Sequence, residues 1–211
     1  MQIIILFGIL ASTYLMVIAR RMPALIRGFR YQSFFLFLLT AMLGFREGHV
    51  DLYIVAALIF ILKVLVIPRL LSTVAKKIKL DDNLGLFINP QLSLIFALVL
   101  TYCSWVLSVK LDFSYVHSLP AAITVAFSVV FIGAYLMISR VTAFTQVIGL
   151  LVMENGIFLL ASSISGGMPF FVEIAIFFDV FVSVVIMGLF VYRINNLFTH
   201  IDVSKLSQLR G

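Results

Sequence analysis

The chain has 211 residues, 63% of them hydrophobic and 11% charged, with a net charge of +6 and a mean hydropathy of +1.20. Soluble domains carry about 45–50% apolar and about 25% charged residues, so a water-solvated globule around one core is excluded and lipid solvates most of this chain. The basic excess does not point to nucleic acid, because the Lys and Arg residues lie between apolar spans, where they set membrane orientation. One cysteine, Cys103, cannot form an internal disulfide or ligate an iron–sulfur cluster. The histidines His49, His117 and His200 show no metal-ligand spacing, so no cofactor or metal site is read.

Seven apolar segments follow in order, judged against the ~20 residues that a helix needs to cross ~30 Å of hydrocarbon. Residues 2–19 are followed, not preceded, by Arg20 and Arg21, which disfavours a cleaved signal peptide and favours an anchor with its N-terminus outside. Residues 31–45 form a short second span, with Arg30 and Arg46 able to snorkel outward at its ends. The third, 52–73, contains Lys63 and Pro68. A polar link, 74–89, leads to spans at 90–109, 118–139 and 145–163, and a Gly/Pro turn at 165–169 precedes the seventh span, 170–192. In the tail, Asp202 is placed to cap a short helix with Val203, Leu206 and Leu209 on one face, read either as a frayed end or as a docking helix for a neighbouring subunit.

Charge placement tests this topology. Arg20, Arg21, Arg27, Arg30, Arg69, Lys76, Lys77, Lys79, Arg140, Arg193, Lys205 and Arg210 fall on one side, and only Arg46 and Lys110 on the other. By the positive-inside rule this predicts an all-α integral membrane protein of seven transmembrane helices, N-terminus outside and C-terminus cytoplasmic. It divides into a four-helix segment, 1–110, and a three-helix module with its tail, 118–211.

Three charged residues lie inside the spans. Glu154, Asp179 and Lys63 are each about 13–17 Å into a ~30 Å core when counted at ~1.5 Å per residue. An acidic residue at a helix midpoint costs roughly 2.5–3.5 kcal/mol on insertion, and such residues usually face a bundle interior or a water path. Burial favours the neutral form of a carboxyl group while a nearby ammonium favours the charged form, so groups held between these effects exchange protons readily. Pro68 has no N–H for the carbonyl of Val64, so the third helix is expected to weaken one turn beyond Lys63. Asn155 and Ser183 supply polar support, and Glu173, four residues into the seventh span, is a further relay candidate. Each also has a structural reading: Lys63 as a static counter-ion, Glu154 and Asp179 as hydrogen-bonded structural acids, Glu173 as a solvated surface residue.

A family resemblance rests on these residues. From Ser118 onward the chain resembles the three-helix K subunit of respiratory complex I and the similar C-type component of multisubunit cation/proton antiporters. The matching pieces are Ser139-Arg140, Ile148-Gly149-Leu150, Met153-Glu154-Asn155-Gly156, Asp179, and an ending from Ile201-Asp202-Val203-Ser204 to Leu209-Arg210-Gly211. Over its full length the chain looks closer to component E of hydrogenase-4, through Lys63-Val64-Leu65 with Pro68 and through the stretch Phe171 to Asp179 that contains Glu173. Complex I has its acid directly after the Gly-Leu pair, where this chain has Leu151, and the acid follows three residues later as Glu154. That shift turns a helix by ~300° and keeps the acid on a nearby face.

The resemblance implies a non-catalytic membrane-arm subunit of a complex-I-like hydrogenase or related oxidoreductase, in the cell (inner) membrane. It implies partners among antiporter-like membrane subunits and a hydrogenase-like peripheral arm, with no redox centre of its own. Glu154 and Asp179 are expected to exchange protons along a central hydrophilic axis, with Lys63 tuning or relaying. The rival expectations are a structural adaptor whose charges serve only packing, a protein like the antiporter C-type component, and a stand-alone transporter, for which no internal repeat is seen.

Overall fold

The computed structural model describes residues 1–48, 50–77, 89–111, 120–140 and 142–164, which fall within one compact unit, Met1–Ile176. Apart from short turns these residues are helical, with no β-strand among them. Helix α1 is Gln2–Ile18 and α2 is Met22–Glu47. A continuous helical rod follows, made of α3 (Val50–Leu58), a π-helical segment (Ile59–Val66) and α4 (Ile67–Lys77). Then come α5 (Pro90–Lys110), α6 (Pro120–Ser139) and α7 (Ala143–Ile164).

Among the described residues, four helices are long and apolar enough to cross a membrane: Leu52–Lys76, Pro90–Lys110, Pro120–Ser139 and Phe144–Ile164. The apolar α1 is shorter, at 17 residues. The expected seventh span and the tail helix lie outside the described residues. The second element begins nine residues earlier than its apolar run predicts, at Met22 and not at Tyr31, and reaches 26 residues. Pro23 occupies the first turn, where its fixed φ favours helix initiation and its missing N–H has no role. Arg27 and Arg30, read from hydropathy as loop residues, are good helix formers that let their charges reach outward from a continuing helix. The helix stops at Gly48, whose φ of 70° is a left-handed cap that a Cβ would disfavour.

Packing follows the logic of a lipid-solvated bundle, in which small residues let helices approach and hydroxyls join them. A Cβ added at Gly133 would lie 2.5 Å from the backbone nitrogen of Met153, and one at Gly156 would lie 2.7 Å from that of Val130. Gly149 meets the backbone of Met137 in the same way, so α6 and α7 form a hairpin in backbone contact. Helix α5 buries its small residues Ser93, Ala97, Ser104 and Ser108 and exposes Ile95, Leu98, Tyr102 and Trp105. Its inward hydroxyl face is bonded to neighbours: Tyr135 Oη donates to Ser93 Oγ at 2.9 Å, and Ser108 Oγ lies 2.7 Å from Thr124 Oγ1. Tyr14 Oη, on α1, lies 2.6 Å from Thr101 Oγ1. Helix α1 contacts α2, α5 and α6, while α2 packs against the α3–α4 rod and α7. That arrangement brings α1, α2, the π segment and α7 around one polar cluster.

Candidate functional site

Lys63 sits in the π segment. The Ile67 N–H bonds to the carbonyl of Leu62, five residues back, and α-helical geometry resumes with Pro68 in its first turn. A π segment inside an α-helix is rare and frequently marks a functional site. The sequence placed the weakness one turn after Lys63; the structure places it around Lys63 itself. The physical cause is the same proline: with no N–H at Pro68, neither the α-bonded carbonyl of Val64 nor the π-bonded carbonyl of Lys63 has its regular donor.

From this segment Lys63 crosses to α7. Its Nζ lies 3.1 Å from Glu154 Oε1, with Lys63 only 1% and Glu154 2% exposed. Two of the three charges expected at a common depth are thus an ion pair. The same ammonium donates to Asn155 Oδ1 at 2.9 Å. Because an ammonium only donates, Asn155 must present its carbonyl to Lys63 and turn its amide nitrogen away. Asn155 Nδ2 then donates to Gln32 Oε1 at 3.0 Å and to Ser33 Oγ at 3.2 Å, both on α2. Gln32 Nε2 donates to Thr13 Oγ1 on α1 at 2.7 Å, and Thr13 Oγ1 donates in turn to the carbonyl of Ile9 at 2.8 Å. All of these side chains are buried.

The cluster has two chemically distinct halves. The Lys63–Glu154 pair has two electrically neutral arrangements, ammonium–carboxylate and amine–carboxylic acid, which differ by one proton moved from Nζ to Oε1. The Asn155–Gln32–Thr13 arm runs in one donor direction and ends on a backbone carbonyl. Carboxamides hold their protons, so this arm orients Lys63 and does not conduct. A buried pair of this kind is costly to break, about 3–5 kcal/mol when one partner is removed, because the other charge is left uncompensated.

A second buried charge lies at the end of the bundle where α6 leads into α7. Arg140, directly after α6, is 1% exposed. Its Nη1 donates to the Ala19 carbonyl at 3.0 Å, and its Nη2 donates to those of Met16 at 2.9 Å and Val17 at 3.4 Å. It therefore caps the C-terminal carbonyls of α1, which an α-helix leaves without internal partners. Burial pushes the guanidinium down to about 10, partly offset by Tyr135, so it remains charged at neutral pH.

Of the residues singled out from the sequence, Lys63, Glu154 and Asn155 meet in one cluster, whereas Asp179, Glu173 and Ser183 lie outside the described residues. Sequence reasoning missed Thr13, Gln32 and Ser33. A glutamine within an apolar span was a usable signal, because a carboxamide there also requires a partner. Arg140 was read only as a topology charge and a motif residue. No group of His, Cys, Asp or Glu able to hold a metal occurs among the described residues.

The chain is 30% identical over 209 residues to Hydrogenase-4 component E of Escherichia coli (strain K12), covering 98% of this chain and 96% of that protein. The Shigella flexneri protein of the same name matches equally. It is 28% identical over 208 residues to the uncharacterized protein Rv0085 of Mycobacterium tuberculosis, covering 96% of this chain and 93% of that protein. No family model matches the chain, and no solved structure matches it significantly.

Proposed function

The chain belongs to the hydrogenase-4 component E family, and from that premise we propose that it is a seven-span membrane-arm subunit of a complex-I-like hydrogenase, N-terminus outside and C-terminus cytoplasmic in the inner membrane. It carries part of a proton path and leaves redox chemistry to other subunits. Glu154 is the proton-carrying acid and Lys63 the charge that sets its affinity for that proton. Asp179 and Glu173, on the proposed seventh span, continue the path toward antiporter-like neighbours. The observation that carries this reading is the Lys63–Glu154 ion pair, 3.1 Å apart and buried, set on a π-helical segment. Such intramembrane charges are typically part of ion or proton pathways.

The test is proton translocation in sealed inverted vesicles containing the assembled complex, followed by quenching of a pH-sensitive dye during redox turnover. Glu154→Gln, which keeps the side chain's shape and a hydrogen-bonding oxygen, is expected to lower complex yield while the complex that assembles keeps its redox turnover and loses the proton signal. An unchanged proton signal would sink the relay role. Loss of complex yield, with normal coupling in what does assemble, would instead favour the adaptor reading.

A further inference from the structure

A groove of about 500 Å³ opens where α1 turns into α2, lined by the basic Arg20, Arg21 and Arg27 and by the apolar or aromatic Leu15, Ile18 and Tyr31. No acidic side chain among the described residues lines it. Arg27 is anchored through Nε to the Pro23 carbonyl at 3.2 Å, which commits only one of its five N–H groups. Two further features make the place hospitable to an anion. The N-terminus of α2, the positive end of its dipole, lies at the groove. The negative C-terminal end of α1, which would repel an anion, is neutralised by the buried Arg140 guanidinium on the carbonyls of Met16, Val17 and Ala19. Ala19 itself lines the groove.

The apolar wall is continuous with a longer surface. Ile4, Phe7, Ala11, Leu15 and Ile18 are exposed along one stripe of α1. From Ile4 to Ile18 that stripe is about 21 Å long at ~1.5 Å per residue, more than the ~15 Å depth of one leaflet of a ~30 Å core. A soluble phosphate would use the arginines and have no use for the stripe. A phospholipid uses both, with its phosphate against the guanidinium groups and one acyl chain along α1.

We propose that the α1–α2 turn is a binding site for one anionic glycerophospholipid of the surrounding bilayer. Planar guanidinium groups suit phosphate oxygens because they donate in pairs, and basic pockets between membrane helices are known to hold anionic headgroups.

The experiment is lipid titration of the full chain in mild detergent, with bound lipid counted by native mass spectrometry. Phosphatidylglycerol, phosphatidylcholine and glycerol 3-phosphate are compared as ligands. Phosphatidylglycerol is expected to bind most tightly and to be weakened roughly fivefold for each Arg→Gln change at Arg20, Arg21 and Arg27. Ala24→Trp, which fills the groove and keeps every charge, should also weaken it. Arg69→Gln with Lys76→Gln, a control on α4 that removes one more positive charge than any single test change, should not. Equal weakening by the α4 control would mean diffuse attraction to the membrane surface and would overturn the proposal. So would glycerol 3-phosphate binding as tightly as the lipid, or phosphatidylglycerol binding unchanged in Arg27→Gln and Ala24→Trp alike.

Discussion

Lys63 and Glu154 decide more about this protein than any other two residues, because each makes the other tolerable in a region that excludes water. Glu154→Leu alone should lower stability by about 3–5 kcal/mol, and Lys63→Met alone by a similar amount. The combined change should recover most of the loss, because neither charge of this pair is then left facing an apolar replacement. Thermal unfolding of the four proteins in one detergent checks this, and a double variant as unstable as the sum of the singles would mean the pair is not coupled. Gln32→Leu acts one step further out. It removes one of the two acceptors of Asn155 Nδ2, leaving Ser33 Oγ, and the donor to Thr13 Oγ1, so a loss of about 1–3 kcal/mol is expected from one Asn155 N–H left buried without its acceptor. In the assembled complex the same change should reduce proton yield per turnover if Asn155 holds Lys63 toward Glu154, whereas a packing role alone would leave that ratio unchanged.

Elements are joined here by close backbone approach and by caps as well as by buried apolar side chains such as Phe29, Leu25 and Ile132. Gly133→Leu and Gly156→Leu both push a side chain into the opposing backbone of the α6–α7 hairpin. Overpacking of this kind usually costs about 1–3 kcal/mol, occasionally more, and backbone on the receiving side has little room to yield. Loss of folded protein in detergent, by size-exclusion profile and melting temperature, is the readout. Arg140→Ala should fray the end of α1 by removing its three carbonyl contacts, seen as faster amide exchange near Met16–Ala19. The pH dependence follows from a folded value of about 10, pushed by burial below the ordinary value of a guanidinium. Between these values the unfolded chain binds the proton that the folded one has lost, so this residue makes stability rise with pH only above about 10. At neutral and mildly alkaline pH it is charged in both states. The difference in melting temperature between wild type and Arg140→Ala should therefore be flat over that range.

At the scale of the whole molecule, the apolar outer face of α5 and the basic residues between apolar runs make the proposed placement in a bilayer testable. Cys103 is on the exposed side of α5. In sealed vesicles it should resist a membrane-impermeant maleimide from either side, and labelling would place water against that face. A cysteine introduced as Arg21→Cys in a Cys103→Ser background should label only from the cytoplasmic side under the proposed orientation. Labelling from the opposite side would reverse the topology.

Composition and the spacing of apolar runs were enough to specify a helical membrane protein, because a chain this poor in charge has to satisfy its backbone within helices. They also located Lys63, Glu154 and Asn155, since a charge inside an apolar run stands out without any knowledge of neighbours, and the motifs around them pointed to the family. Hydropathy misplaced the start of α2, because it treats an arginine as the end of a span, while a helix can run on past Arg30 and Arg27 to Pro23. Partnership was invisible in the sequence. That Lys63 meets Glu154 and Asn155, that Gln32 and Thr13 complete the arm, and that Arg140 caps a helix far earlier in the chain all depend on which faces of α1, α2, the π segment and α7 meet. Those choices are set by where glycines and serines allow backbones to approach, a property of pairs of helices that no single stretch of chain contains.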